Sequence, residues 1–411
     1  MLERLVVHKY GGSSVGTLEK IRHVASHIQR TVAEGTKVLV VVSAMGSYTD
    51  ELLALAYQLS SSPAKRELDM LLTTGERIST SLLSIALQTL GVASISLTGS
   101  QSGILTDGNH GNARIQEVRS DRVSDALRSF PVVIVAGFQG VCPRTKDITS
   151  LGRGGSDLTG VALAVAHQAS SCEIYSDVPG VMSADPRLVP EAHLLAKVSW
   201  QEMVDLAWAG AQVLHHRAAF LAQKNQLCLE IRSSYHPEIR GTLIGGFAPM
   251  ERPYVSALTY KKNQSQLIFT IQVTQGLGFS PLLVALEKLW GNQESPLLVQ
   301  QSWQGENTYQ MRVICESSLA AQLIAEFEEA CRENSAKMSA CQERGDLGAL
   351  AVVGHGFRQS QELVALVHQQ VGGELYYSDM QDHLLTLLVQ GEQAEECLRK
   401  LHRALKAYFR T

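Results

Sequence analysis

The sequence lacks several features that would each mark a class of protein. No stretch of its 411 residues approaches the ~20 consecutive apolar side chains that a membrane helix requires. The opening segment, MLERLVVHKYGG, has an apolar run too short for a secretory signal and meets two glycines at once. There is no long basic run, and 36 Lys and Arg against 40 Asp and Glu leave a net charge of -4. A nucleic-acid partner is therefore not expected. The seven cysteines (142, 172, 228, 315, 331, 341 and 397) form no CxxC pair and are odd in number. That argues against a disulfide framework and suits free thiols in a reducing compartment. A soluble, cytoplasmic protein with no membrane partner is the expectation.

What is present is a globular composition, 45% hydrophobic and 18% charged, in a chain long enough for two or three domains. Over the first ~245 residues, short continuous apolar runs recur at 5–7, 38–42, 93–97, 132–135, 172–175 and 227–231. Unbroken apolarity marks strands buried on both faces, as in a parallel sheet covered by helices. Between them lie helical stripes, one through Val15, Leu18, Ile21, Val24 and Ile28, another through Leu158, Val161, Ala162, Val165 and Ala169. This alternation predicts an α/β domain over 1–248, an open, mostly parallel sheet sandwiched by helices.

Glycine and proline cluster at 241–253 (GTLIGGFAPMERP), and the texture then changes to shorter, alternating strands. Two passages look like weak copies, LIFTIQVTQGLGFSPLLVALEKLW from Leu267 and LAVVGHGFRQSQELVALVHQQV from Leu350. Each reads strand, glycine loop, amphipathic helix, and further strands follow at 308–314 and 383–389. The order βαββαβ predicts an α+β unit used twice over 254–411, approximately 257–343 and 347–411, or interleaved.

In open α/β sheets, ligands gather where strand ends lead into helix N-termini. Three such loops carry unusual chemistry. Lys9-Tyr10-Gly11-Gly12-Ser13-Ser14-Val15-Gly16 puts a lysine before two glycines and a helix. Glycines let backbone approach an anion, and a helix N-terminus attracts negative charge. It is no Walker loop, since the lysine precedes the glycines; alone, it suits an anion cradle or a plain turn. Ser150-Leu151-Gly152-Arg153-Gly154-Gly155-Ser156-Asp157 also enters a helix and does not match GxGxxG. Ser156 or Asp157 suits a cap, and the Arg153 fork suits a carboxylate or phosphate. The third, residues 175–187, leaves a strand through Tyr175-Ser176-Asp177, turns at Pro179-Gly180 and ends on Asp185-Pro186-Arg187. Ser43-Ala44-Met45-Gly46, Thr49 and Thr73-Thr74-Gly75-Glu76 add to these. By itself Glu76 reads as a first-turn acid complementing a helix dipole.

Taken in order, these loops resemble the aspartate kinases of the amino-acid kinase superfamily. The resemblance rests on KYGGSSVG (9–16), VVSAMG (41–46), TTGE (73–76), SLTGSQSGILTD (96–107), VAGFQG (135–140), LGRGGSD (151–157), YSDVPGV with ADPR (175–187), AWAGAQVLH (207–215), and IRSSY with GTLI (231–244). It covers nearly all of residues 1–245, and the rest looks like the paired ACT domains of that family. The resemblance implies transfer of the ATP γ-phosphoryl group to the side-chain carboxylate of L-aspartate, the first step of lysine, threonine and methionine (diaminopimelate) biosynthesis. It implies that Lys9 bridges the phosphates, with Tyr10, Gly11 and Gly12 beside it, and that Asp157 orients lysine and metal-bound phosphate. Arg153 and Glu76 would hold the two ends of aspartate, with Ser43, Thr49, Gly154, Gly155 and Ser156. Ser176, Asp177, Asp185, Pro186 and Arg187 would line the nucleotide pocket. Mg²⁺ would arrive with ATP, held chiefly by phosphate and water, so no protein metal site is expected. An amino-acid effector and a homodimer through the ACT units are further implications. A carboxylate is already ionised at pH 7, so the transfer needs alignment and charge neutralisation rather than a general base.

The chain departs from the family in places. Gln212 stands where a lysine is usual, His216 where a proline, Met182 where a tyrosine, and Ser13 where a threonine. The Asn-x-Asp effector segment is missing, with 295–300 (SPLLVQ) in its approximate place, so no effector is assigned. Gln212 and the long C-terminal half keep open a catalytically weakened regulatory subunit or amino-acid sensor of the same fold. A different acceptor, such as glutamate or an acylated amino acid, also stays open. Adjacent His215 and His216 on one helix would point about 100° apart and so could not share an ion.

Overall fold

A computed structural model describes residues 4–247, 251–273, 298–304, 308–333 and 336–410. Two compact units result. The first comprises Met1–Met182, His193–Ala207 and Gln212–Ala248; the second comprises Ser183–Ala192, Trp208–Ala211 and Pro249–Thr411.

The first unit is built on an eight-stranded sheet in the order Lys197–Ser199, Thr242–Gly245, Leu229–Ser233, Ser171–Ser176, Leu5–Tyr10, Lys37–Val42, Val132–Ala136, Ser94–Leu97. Every neighbouring pair is parallel except Leu229–Ser233 with Thr242–Gly245. The apolar runs explain the centre: Val38 to Val42 and Val132 to Ala136 are wholly buried, each such side chain stabilising the fold by ~1.5–3 kcal/mol. On one face lie the helices Leu18–Ala33 and Thr74–Thr89, whose Ile21, Val24, Ile28, Leu83 and Leu87 pack on Val6, Tyr10, Val38, Val40 and Ile134. The helix Gly155–Ala166 is buried on nearly every side, wider than a single stripe. A side chain at its Gly160 would meet Lys9 Cβ at 3.3 Å, so this helix lies against the Lys9 face of its strand.

The first helix departs from the sequence reading. Val15 is buried but lies in a turn after the short helix Gly12–Ser14, and the long helix begins at Leu18, which is exposed. Thr17 sets that start, its hydroxyl accepting from Lys20 N–H at 3.2 Å. Ala169 likewise falls beyond its helix. A second sheet, in the order Ile115–Val118, Ile104–Thr106, Gln139–Val141, Ile148–Ser150, escapes the periodicity because its strands have three or four residues. It delivers Ser150 to the glycine-rich loop.

The second unit holds a sheet in the order Leu298–Trp303, Thr308–Glu316, Tyr254–Val273, Ala336–His355, Leu384–Gln390, Leu375–Met380, antiparallel throughout. The expected short strands are replaced at its centre by two of 20 residues. Each carries a polar stretch, 261–266 in one and 342–346 in the other. Here register shifts at Lys261/Gln264 and Gln264/Gln266, with positive φ at Asn263 and Asp346, carry the pairing through them. Each long strand thus serves two cores. Leu267, Phe269 and Ile271 pack with Phe327 of the helix Ser317–Glu333. Val255 and Leu258 pack with Phe357, Leu363 and Leu401, joined by Ala184 and Val189. The helix Gln361–Val371 opens on Ser360, which accepts from Leu363 N–H. The glycine loop at 276–279, the helix expected after it and residues 295–297 lie outside the described residues.

Candidate active site

The strand Leu5–Tyr10 alternates its side chains between the two faces of the sheet. Lys9 takes the face covered by the helix Gly155–Ala166, and its Nζ lies 2.6 Å from Asp157 Oδ1 in the first turn of that helix. Both side chains are close to nine-tenths buried. Desolvated charges are costly unless paired, and removing one partner of such a pair typically costs about 3–5 kcal/mol. Asp157 Oδ2 also accepts from His215 N–H at 3.3 Å. The lysine is thereby held at the end of a buried strand, beside the N-terminus of a buried helix.

Three loops converge around it through Ala44. Gly46 N–H donates to Gly12 O at 3.0 Å, and a side chain on Gly12 would meet Ala44 O at 2.9 Å. Ser43 N–H donates to Tyr10 O, and Gly11 N–H to Tyr175 O, both at 3.1 Å. Ala44 N–H donates to Glu76 Oε1 at 3.1 Å. The strand of Lys9 and its two neighbours in the sheet thus carry Gly11, Gly12, Ser43, Tyr175 and the following Ser176 and Asp177 to one end of the sheet. A Cβ built on Gly137 would lie 2.7 Å from Ser156 Oγ, so Ser156 is seated on the VAGFQG loop. Backbone this close, with no side chain interposed, suits an anion cradle.

Glu76 is not the surface acid its sequence position suggests. The helix Thr74–Thr89 starts two residues before it, and it is buried, with Oε2 making no hydrogen bond. Burial pushes its carboxyl up to about 7, against hydrogen bonds from its own backbone and from Ala44. A buried acid poised near neutrality is suited to receive a cation.

The glycine-rich loop is held from behind. Gly154 has φ 64°, and a Cβ there would lie 2.2 Å from the His215 ring, so only glycine fits. Gly155 opens the helix, buried, and Arg153 is exposed. Arg217 donates to Asn112 Oδ1 at 3.0 Å, to Ala113 O at 2.8 Å and to Leu151 O, fixing the residue that precedes Gly152. Asp69, fully buried, accepts from Ser150 Oγ at 2.5 Å and Gly111 N–H at 3.2 Å, and lies 2.6 Å from His110 Nδ1. Phe138 adopts φ 68°, a strained conformation for a side chain of that size, and its carbonyl accepts from Leu151 N–H. The sequence reading missed Asp69 and Arg217, and it named Ala44 and Phe138 only as parts of motifs, with no role of their own. An arginine directly after AWAGAQVLHH was the one visible signal.

Other expected residues fall differently. The Tyr10 ring lies on the opposite face from Lys9, stacked on Tyr175 at 4.8 Å with its hydroxyl 2.7 Å from His27 Nδ1; only its backbone joins the loops. Thr49 is half-buried in the first turn of the helix Tyr48–Leu59. Asp185, Pro186 and Arg187 belong to the second unit, where Arg187 Nη2 lies 2.7 Å from Asp185 Oδ2. Gln212 is exposed in a turn. His215 is not on a helix: it caps the helix His216–Lys224 in extended conformation, its ring accepting from Arg217 N–H, with the His216 ring 4.2 Å away.

Comparison with known proteins bears directly on these loops. Residues 4–233 match the profile of the amino acid kinase family. The aspartokinase of Mycobacterium tuberculosis is 48% identical over 265 residues, 64% of this chain, which spans 63% of that relative's own length. Aspartokinase 2 of Bacillus subtilis is 42% identical over 355 residues, covering 86% of this chain and 85% of its own. The crystal structure of E. coli aspartokinase III in complex with aspartate and ADP superposes with a TM-score of 0.82 at 23% identity, over 98% of this chain and 100% of that one. This chain belongs to the amino acid kinase family and, within it, to the aspartokinases.

Proposed function

We propose that the protein is an ATP-dependent aspartate kinase, forming 4-phospho-L-aspartate from the side-chain carboxylate of L-aspartate, at the head of lysine, threonine and methionine biosynthesis. The observation that carries this reading is the Lys9–Asp157 pair at the end of a parallel sheet, ringed by glycine backbone. Lys9 and the N–H groups of Gly11 and Gly12 would take the phosphates, with Ser176 and Asp177 toward the nucleotide. Glu76 would receive the α-ammonium of aspartate and Arg153 its α-carboxylate, with Ser43, Thr49, Gly154, Gly155 and Ser156 about them. Mg²⁺, bound chiefly through phosphate and water with Asp157 as the nearest carboxylate to Lys9, would neutralise charge on the transferring group. The chain's own part is alignment: a fixed cation and fixed dipoles aimed where charge moves.

The first 248 residues are then the catalytic domain and 254–411 a regulatory region of two ACT-like units, for an amino-acid effector and a homodimer. The two separate cores under one sheet support that division. All seven cysteines are free thiols, which supports a reducing compartment, the cytoplasm. Among the described residues no helix is long and apolar enough to cross a membrane.

Hydroxylamine trapping of the acyl phosphate, with ATP, Mg²⁺ and a panel of aspartate, glutamate and acylated amino acids, tests the acceptor. Turnover is expected with aspartate alone. A folded protein that binds amino acid without turnover would be a sensor instead.

A further inference from the structure

The GHGF loop of the second unit is absorbed by none of this. Its His355 ends the long strand Ala336–His355, and across the sheet the turn before the strand Leu384–Gln390 presents Asp382 and His383. Among the described residues these three form the one group of histidine, cysteine or acidic side chains whose donor atoms lie within 4.8 Å of one another. His355 Nδ1 and His383 Nδ1 are 3.2 Å apart. Asp382 Oδ2 lies 3.8 Å from His355 Nδ1 and 4.0 Å from His383 Nε2. With zinc–nitrogen bonds of about 2.0–2.1 Å, two ligands of a tetrahedral ion stand about 3.3–3.4 Å apart. The histidine pair already has that spacing, and Asp382 Oδ2 is about half an ångström beyond it from His355 Nδ1. Its 4.0 Å approach to His383 is to the other ring nitrogen, so the carboxylate must swing toward Nδ1, within the 4.8 Å that one donor from each residue spans.

The backbone holds the donors in place. Gly354 N–H donates to His383 O at 3.0 Å, Phe357 N–H to Asp382 O at 3.3 Å, and Gln381 N–H to Leu384 O at 2.8 Å. Gly356, at φ 79°, turns the chain directly after His355. The three side chains are partly exposed, at 20%, 33% and 38%, so an ion has a path in and room for a water as fourth ligand. Two imidazoles and one carboxylate suit a borderline transition cation rather than Mg²⁺ or Ca²⁺.

We propose that His355, Asp382 and His383 form a zinc site in the second unit, separate from the kinase chemistry, which latches the strand end at His355 to the 381–384 turn. The test uses the full-length chain without nucleotide. Calorimetric titration with Zn²⁺ alone, on wild type, His383→Gln and Asp382→Asn, should find one site per chain that weakens at least tenfold in each variant. Zinc should raise the melting temperature of wild type and not of the variants, whose circular dichroism should match it. A parallel Co²⁺ titration separates this site from the thiols. Equal affinity in wild type and variants, no binding, or a sulfur-to-cobalt charge-transfer band would each overturn the assignment.

Discussion

Glu76 Oε1 accepts a hydrogen bond from Ala44 N–H at 3.1 Å, joining the TTGE helix to the loop that packs on Gly12. The carboxylate thus braces the phosphate side of the site while its second oxygen stays available to substrate.

Glu76→Gln should therefore raise KM for aspartate by roughly ten- to a hundredfold, the loss of one charge-assisted contact, with a smaller effect on KM for ATP. The pH dependence carries a sign. The acid titrates at about 7, so below that pH it loses the charge that would hold an ammonium group, and KM for aspartate should climb as pH falls. In the variant that climb should vanish. Stability runs the other way: a carboxyl raised from 4.5 contributes fully below about pH 4.5, and its contribution is lost as pH rises through about 7. Glu76→Gln should then melt higher than wild type at pH 8. A wild-type KM profile flat from pH 6 to 8 would contradict the assignment.

Arg217 ties Leu151, Asn112 and Ala113 together through one planar fork. Lysine keeps the charge but not the geometry. Arg217→Lys should cost about 1–3 kcal/mol of stability and lower kcat/KM more than stability alone explains, because the Gly152–Gly155 loop loses its backing. Equal kcat/KM at a temperature where both proteins are folded would show that the clamp is only structural.

A polar cluster on the far face should contribute to acid sensitivity. His8 and His27 stack 5.4 Å apart and, with Tyr175, Glu173 and Arg232, line a cavity of about 280 Å³. Burial lowers His8 to about 4 even against the attraction of Glu173. Burial, with His8 and Arg30 nearby, lowers His27 to about 3. Both bases are depressed from 6.5, so their contribution is whole above that pH. It is lost as pH falls, because the unfolded chain takes up protons that the fold refuses. The steepest slope from the pair is about 2.7 kcal/mol per pH unit. His8→Gln with His27→Gln should flatten the fall of melting temperature between pH 6.5 and 4. An unchanged slope would place the acid sensitivity elsewhere.

Much of this was legible in the sequence where the signal is local. The runs at 38–42 and 132–135 read as doubly buried strands because both faces of those strands are covered. Lys9 and Asp157 stood out because each sits where a buried strand or glycine loop meets a helix. What the sequence hid was non-local. Glu76 meets Ala44 32 positions away, and Arg217 meets Leu151 66 positions away; neither partner has a feature that points to the other. The two 20-residue strands were expected as shorter ones because bulges carry the pairing through polar residues, and periodicity cannot see a bulge. Asp185 to Arg187 follow Tyr175 closely in sequence yet fold with the second unit, since Ala184 and Val189 find their apolar partners there.

The account stands on the cation at residue 9. Hydroxamate turnover of Lys9→Ala, with its fold checked by circular dichroism, is the most direct measurement. Removing a cation proposed to face the phosphates should lower kcat by about 10²–10³-fold or more, with Asp157 losing its 2.6 Å ion-pair partner. A folded Lys9→Ala protein turning over within tenfold of wild type would contradict it.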